Sequence, residues 1–237
     1  MDNRLIVALD TDDDEEIIWL SGTLMDIVGW FKMGFQAFSA LGMEAFPWFE
    51  QNGHNTFVDL KFHDIPNTVA RDVSTMTKHG ANMINMHASG GLEMMQAARS
   101  RADDAAYKAR IPNPILLGVT ILTSMDEMGF QSNFGSERQL SEQVVYLAKL
   151  TKEAGLDGVV ASPLEIEPIR KACGDNFLIV TPGIRPKWAD PGDQRRITTP
   201  AEAINRGADF IVVGRPIIEA EDPLEAAEKI LDEMRGM

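Results

Sequence analysis

The fold is decided by residues 56–68, which read TFVDLKFHDIPNT. The first half of this segment is apolar and β-branched apart from two charged residues, which is the pattern of a strand. Side chains alternate between the two faces of a strand, so Asp59 and Lys61 share one face while Val58 and Leu60 share the other. We expect the aliphatic face to pack against helices and the charged face to point away from them.

A helix is predicted directly after this strand. Pro66 has no amide hydrogen for a strand ladder but suits the first turn of a helix, so Asp64 is expected in the loop between the two elements. The same order recurs along the chain, with amphipathic patterns such as Ser136–Ala154 and a capping-box pattern, TPAE, at residues 199–202. Eight strand-like runs are present: Leu5–Leu9, Val28–Met33, Thr56–Lys61, Asn82–His87, Ile115–Ile121, Gly158–Ala161, Phe177–Thr181 and Phe210–Val213.

Eight strand-then-helix units in 237 residues predict an α/β fold of the (β/α)8 TIM-barrel type. An open doubly wound sheet is the alternative, although such sheets usually have fewer strands. We see no linker, low-complexity segment or repeat, so residues 1–237 are interpreted as a single catalytic domain. In a barrel of this type the functional groups lie where strands end and the following loops begin.

Composition excludes several classes of function. The chain has 22 Lys and Arg against 36 Asp and Glu, a formal charge of −14 that argues against a nucleic-acid or anionic-membrane partner. Its one cysteine, Cys173, rules out an internal disulfide and fits a reducing compartment. We find neither a signal peptide nor an apolar run of membrane-spanning length, and therefore expect a cytoplasmic protein.

The charged face of the third strand is the first candidate site. Lys32 ends the second strand and is expected to project into the same barrel mouth as Asp59 and Lys61, with Asp64 nearby in the loop. Such a network of alternating charge keeps lysines protonated and fixed, which is useful where negative charge develops during a reaction. The alternative is a buried ion pair that only sets the strand register.

A phosphate site is predicted in the loops after the seventh and eighth strands. Residues 181–186 read TPGIRP and residues 214–216 read GRP, and both combine glycine, which allows close approach of an anion, with an arginine that can bind phosphate. Residues 185–196 hold four basic and two acidic residues, a positive region in an acidic chain. A solvated surface loop is the alternative.

No metal or nucleotide cofactor is predicted. The four histidines do not have the spacing of metal ligands, and there is no second cysteine. Neither a P-loop nor a GxGxxG motif is present, so a nucleotide cofactor has no recognisable binding loop.

Residues 59–68, DLKFHDIPNT, resemble the signature of the orotidine 5′-phosphate decarboxylase family. The resemblance covers essentially the whole chain, and its motifs occur in the family's order. The other matching segments are VALD at 7–10, FKMG at 31–34, VTILTS at 119–124, TPGIR at 181–185, DQRR at 193–196 and VGRPI at 213–217.

The resemblance implies a homodimer that needs no cofactor or metal. It would remove CO2 from orotidine 5′-monophosphate to give uridine 5′-monophosphate, the last step of de novo pyrimidine synthesis. Lys61 would donate the proton to C6 within a network of Lys32, Asp59 and Asp64, and Asp64 and Thr68 would reach into the partner subunit's site.

The resemblance also implies a substrate-binding set. Its members would contact the ribose hydroxyls, the base or the phosphate, with Arg185, Arg215 and the Gly214 backbone at the phosphate. The set comprises Asp10, Lys32, Asp59, Lys61, Asp64, Ile65, Thr68, Thr123, Pro182, Arg185, Gln194, Gly214 and Arg215.

Two other functions remain open at this point. One is a Mg2+-dependent sugar-phosphate decarboxylase or aldolase of the same superfamily, such as a 3-keto-L-gulonate 6-phosphate decarboxylase or a hexulose phosphate synthase. Lys32 argues against it, because those relatives carry an acidic residue at that position. The other is a barrel that binds a phosphate ligand without catalysis, although a mere binder does not need the charge network.

Overall fold

A computed structural model describes residues 4–189 and 198–236. Within those ranges eight parallel strands form a closed barrel in chain order, with the first strand also paired to the last. The predicted TIM-barrel class is confirmed. The strands are β1 Leu5–Ala8, β2 Trp30–Met33, β3 Asn55–Phe62, β4 Met83–His87, β5 Ile115–Val119, β6 Gly158–Val160, β7 Leu178–Thr181 and β8 Phe210–Val213.

Helices connect the strands and surround the barrel. They are α1 Asp14–Leu24, α2 Phe35–Leu41, α3 Ala45–Gln51, α4 Pro66–Lys78, α5 Leu92–Ala109, α6 Glu127–Phe134, α7 Leu140–Glu153, α8 Ile166–Cys173, α9 Pro200–Asn205, α10 Arg215–Ile218 and α11 Pro223–Arg235. Short 3-10 turns lie at Gly42–Glu44, Ala88–Gly90 and Pro163–Glu165. No helix in the described ranges is both long enough and apolar enough to span a membrane.

The core has two layers because strand side chains alternate in direction. In β1, Leu5 and Val7 pack outward against helices while Ile6 and Ala8 point into the barrel. The inner layer is closed by large side chains, with Trp30 packed edge-on against Phe210. The remaining inner residues are Phe57, Met83, Leu117, Val119, Val160, Val180 and Val212.

Local signals predicted several element boundaries correctly. Helix α9 begins at Pro200 with Thr199 as its N-cap, and the Thr199 hydroxyl and the Glu202 carboxylate form the predicted capping box. Helix α4 begins at Pro66, as predicted. Gly80 and Gly155 have left-handed backbone and follow the ends of α4 and α7.

Several predicted boundaries were wrong by one to four residues, and two of them have a clear physical cause. The helix predicted over Ser136–Ala154 begins only at Leu140, because Gln139 has extended backbone and its N–H donates to the Glu142 carboxylate as a cap. The strand predicted from Val28 begins at Trp30, because the Val28 N–H still donates to the Leu24 carbonyl at the end of α1.

Candidate active site

The inward-facing positions of β1, β2 and β3 build a charged site at the barrel mouth. Trp30 and Phe57 point into the inner core, and the next inward positions on the same strands are Lys32 and Asp59. Lys32 and Asp59 are both buried, although charged residues are rarely buried unless they are paired. The two-residue strand period therefore places these side chains above the apolar interior of the barrel.

Four side chains form a chain of alternating charge. Lys32 Nζ lies 2.7 Å from Asp10 Oδ1 and 3.2 Å from Asp59 Oδ2, and Lys61 Nζ lies 2.8 Å from Asp59 Oδ1. A methyl group at Gly34 would lie only 3.0 Å from Lys32 Nζ, so the glycine leaves room for the ammonium. The predicted contact between Asp59 and Lys61 is present, and Asp10 provides the second carboxylate within this chain.

Electrostatics keep the centre of this network ionised. Burial alone would raise the pKa of Asp59, but Lys32 and Lys61 outweigh it and hold that pKa below its usual value. Burial alone would lower the pKa of Lys32, but Asp59 and Asp10 outweigh it and raise that pKa. The network therefore keeps a carboxylate and an ammonium side by side at neutral pH.

Lys61 has an unusual backbone. Its φ angle is 49°, in the left-handed region that few residues other than glycine adopt, at a cost of about 1–3 kcal/mol. The pairing of β3 with β4 shifts register between Val58 and Phe62, so Lys61 lies within a bulge. Leu60 still packs on the outer core and Lys61 still reaches the mouth, so the predicted faces are confirmed although the bulge was not predicted.

The sequence reasoning missed Asn85 on β4. This fully buried residue donates from Nδ2 to Asp59 Oδ1 at 2.6 Å, and its Oδ1 accepts the Lys61 backbone N–H at 2.8 Å. The signal was available, because Asn85 lies two residues after inward-facing Met83 and is polar within an apolar strand. A buried polar group needs partners, and an inward position near the strand end places those partners in the site.

A cavity of about 690 Å³ joins the charge network to the predicted phosphate loops. Its volume lies within the usual range for a small-molecule site. Its lining includes Asp10, Lys32, Asp59, Lys61, Pro182, Arg185, Gly214 and Arg215.

A second cavity of about 220 Å³ opens beside the same network. It shares Lys32, Asp59, Lys61 and Pro182 with the larger one and is otherwise mostly apolar, with Thr123 at its wall. The site thus has a charged centre, an arginine-bearing end and an apolar side.

Within residues 4–189 and 198–236, no group of three or more His, Cys, Asp or Glu side chains is placed to hold a metal ion. Both Asp59 carboxylate oxygens already contact lysine ammonium groups.

Comparison with known proteins identifies the family. The model described as "Orotidine 5'-phosphate decarboxylase / HUMPS family" matches residues 3–230. The chain belongs to this family. Relatives named orotidine 5′-phosphate decarboxylase include one from Moorella thermoacetica, 47% identical over 98% of this chain and 92% of the relative, and one from Trichlorobacter lovleyi, 49% identical over 98% and 95%.

Solved structures agree with the family assignment. The crystal structure of orotidine 5′-phosphate decarboxylase from Lactobacillus acidophilus matches with a TM-score of 0.84 and 37% identity, over 98% of this chain and 99% of that one. The barrel described above is therefore similar to the barrel of this solved structure.

Three residues predicted from the resemblance, Asp64, Ile65 and Thr68, do not line the cavity of their own chain. Asp64 is exposed, and its Oδ1 accepts the Ile65 N–H rather than a lysine ammonium. Ile65 is 67% exposed, and Thr68 lies in the first turn of α4. Gln194 lies outside the described residues.

Proposed function

We propose that this chain decarboxylates orotidine 5′-monophosphate to uridine 5′-monophosphate and CO2, the last step of de novo pyrimidine synthesis. One observation carries the proposal. The alternating network of Asp10, Lys32, Asp59 and Lys61 lies in the same cavity as the arginines of the last two loops. A ligand with an anionic phosphate at one end and a reacting ring at the other matches this arrangement.

The chemistry requires a fixed cation at the reacting carbon. Loss of CO2 from C6 of the pyrimidine leaves an electron pair on that carbon, and the ring delocalises it poorly. Without an organic electron sink, the charge must be stabilised electrostatically by groups already in place. In the proposal the Lys61 ammonium lies beside C6, stabilises the developing charge, and then donates its proton to form the C6–H bond.

Asp59 and Lys32 position that ammonium in the proposal. Asp59 holds Lys61 on one carboxylate oxygen and Lys32 on the other, so one carboxylate fixes both ammonium groups. At a separation of ~4 Å each contact is worth about 4 kcal/mol at an effective dielectric constant of ~20, before desolvation. Asp59 also faces the expected place of the substrate carboxylate, whose repulsion is relieved as CO2 leaves.

The proposal is tested by incubating the purified protein, in excess chelator, with orotidine 5′-monophosphate. We expect the orotate ultraviolet absorption to disappear as uridine 5′-monophosphate forms. Turnover of a sugar phosphate only after Mg2+ is added would instead favour the metal-dependent relatives. Binding of uridine 5′-monophosphate without any turnover would favour the non-catalytic barrel.

Arg215 is proposed as a phosphate ligand, and its loss should affect binding more than chemistry. Arg215→Ala removes a charge-assisted contact, so we expect binding of uridine 5′-monophosphate to weaken by about 1.5–3 kcal/mol. Calorimetric titration measures this change. Arg101→Ala, on the exposed surface of α5, is the matched control and should bind normally. An unchanged affinity of Arg215→Ala would remove Arg215 from the phosphate site.

The proposal extends to the organisation of the protein. We propose that residues 1–237 act as one catalytic domain in the cytoplasm and that two copies form a homodimer. The family match over residues 3–230 supports the single domain, and the exposed positions of Asp64 and Ile65 support a role for both in a partner's site.

A further inference from the structure

Asn85 contacts both the backbone and the ion partner of Lys61. Its amide nitrogen donates to Asp59 Oδ1, the same oxygen that accepts from Lys61 Nζ, and its amide oxygen accepts the Lys61 N–H. Exchanging the amide nitrogen and oxygen would turn both hydrogen bonds into repulsive contacts, so only this orientation satisfies the two partners. One buried side chain therefore connects a carboxylate and a bulge that both determine where Lys61 lies.

The bulge makes the backbone contact necessary. The register of β3 against β4 shifts between Val58 and Phe62, and the Asn85 side chain accepts the Lys61 N–H in place of a β4 carbonyl. A buried amide left without a partner is costly, and the left-handed backbone at Lys61 persists only where its surroundings hold it. The contact at Asp59 then fixes the rotation of the carboxylate that pairs with the ammonium.

We propose that Asn85 is a positioning residue for the reaction, acting through Asp59 and Lys61; this inference rests on the proposed function. It holds the ammonium at the reacting carbon and does not line the cavity that contains Arg185 and Arg215. Misplacement of a reacting group by about 1 Å can lower a rate by about 100-fold. Loss of Asn85 should therefore lower kcat far more than it weakens ligand binding.

The chain offers a matched control on the same strand pair. Asn82, next to the other end of β4, accepts the Thr56 backbone N–H at 2.8 Å through its own Oδ1. Asn82 is exposed and lies outside both cavities at the barrel mouth. Asn82→Leu removes the same kind of side-chain-to-strand bond without touching the charge network.

The first experiment compares Asn85→Leu, Asn82→Leu and the wild-type protein with orotidine 5′-monophosphate. We expect kcat of Asn85→Leu to fall by about 100-fold, while its affinity for uridine 5′-monophosphate stays within about threefold. We expect Asn82→Leu to keep kcat within about threefold, whatever its thermal stability. Equal losses in the two variants, or normal kcat in folded Asn85→Leu, would refute the positioning role.

A second variant, Asn85→Asp, tests the positioning role if Asn85→Leu does not fold. It keeps the oxygen that accepts the Lys61 N–H but removes the amide that donates to Asp59. A protonated carboxyl at this position can donate to Asp59, and two adjacent carboxyls retain a proton more readily than one. The other ionisable groups facing this point are Lys61 on β3, Lys32 on β2 and His87 on β4, whose pKa is lowered by burial and then by His63 and Lys61. The wild type contains the same groups, so the ratio of variant to wild-type kcat isolates the effect of the new carboxyl.

We expect this ratio to rise as the pH falls. A ratio that stays constant with pH would refute donation from Asn85 to Asp59.

Inactivity of the wild-type protein and of Asn82→Leu would refute the proposed function itself, and with it the role of Asn85. An active wild type beside an equally active Asn85→Leu would refute the role of Asn85 alone.

Discussion

Lys61→Ala is expected to lose turnover of orotidine 5′-monophosphate by about 10⁴-fold or more, because the variant lacks both the fixed cation and the proton donor. The fold should survive. Asp59 keeps Lys32 at 3.2 Å and the Asn85 amide at 2.6 Å, so its carboxylate is not left buried without partners. The loss is measured as the rate of decrease of the orotate absorption, and thermal unfolding monitors the fold.

The control for Lys61→Ala is Lys108→Ala. Lys108 also forms a lysine–aspartate pair, at 2.7 Å with Asp104, but on the exposed surface of α5. Exposed pairs contribute little to stability, so this variant should retain full turnover. Binding of uridine 5′-monophosphate by Lys61→Ala should persist, because the arginine-bearing end of the cavity is untouched. Near-normal turnover by folded Lys61→Ala would refute its role as proton donor.

Mixing two inactive variants should restore activity if Asp64 acts in the partner's site. In this arrangement each site uses Lys61 of one subunit and Asp64 of the other. A mixed dimer of Asp64→Asn and Lys61→Ala subunits then has one site in which both residues are intact. Random exchange between two-fold dimers would restore about a quarter of wild-type activity. The turnover of the mixture, measured after subunit exchange has been demonstrated, decides the matter.

A second mixture provides the control. Lys61→Ala combined with Asp59→Asn should remain inactive, because Asp59 and Lys61 of the same chain contact each other directly and every site then lacks one of them. Failure of the first mixture to recover activity, despite exchange, would place Asp64 in the site of its own chain.

The strand pattern predicted the barrel and the charged face because both depend on local periodicity. Alternation along β3 was enough to bring Asp59 and Lys61 together, and the end of β2 was enough to add Lys32. The hydrogen-bond ladder even continues one residue beyond some observed strands, as at Ala161, which explains why predicted strands ran slightly long. Local signals at Pro66 and Thr199 likewise began two helices correctly.

What the sequence could not predict depends on contacts between distant segments. The left-handed backbone of Lys61 arises from the register shift between β3 and β4, and no residue near Lys61 indicates it. The role of Asn85 depends on which β3 atoms it faces across that bulge. The contact of Asp10 with Lys32 requires that β1 and β2 pair as they do, with Ala8 opposite Lys32.

The pairing of the first and last strands has a consequence for how the protein is made. The alternating charge network comes from the first three strands, whereas Arg215 follows the last strand. The network and Arg215 meet in one cavity only because Val7 of β1 pairs with Val213 of β8. During synthesis from the N-terminus, all residues of the charge network are therefore made long before the arginine that completes the phosphate end of the cavity. A nucleotide that needs both ends binds only the finished barrel, and by mass action it stabilises that state over every partly folded chain.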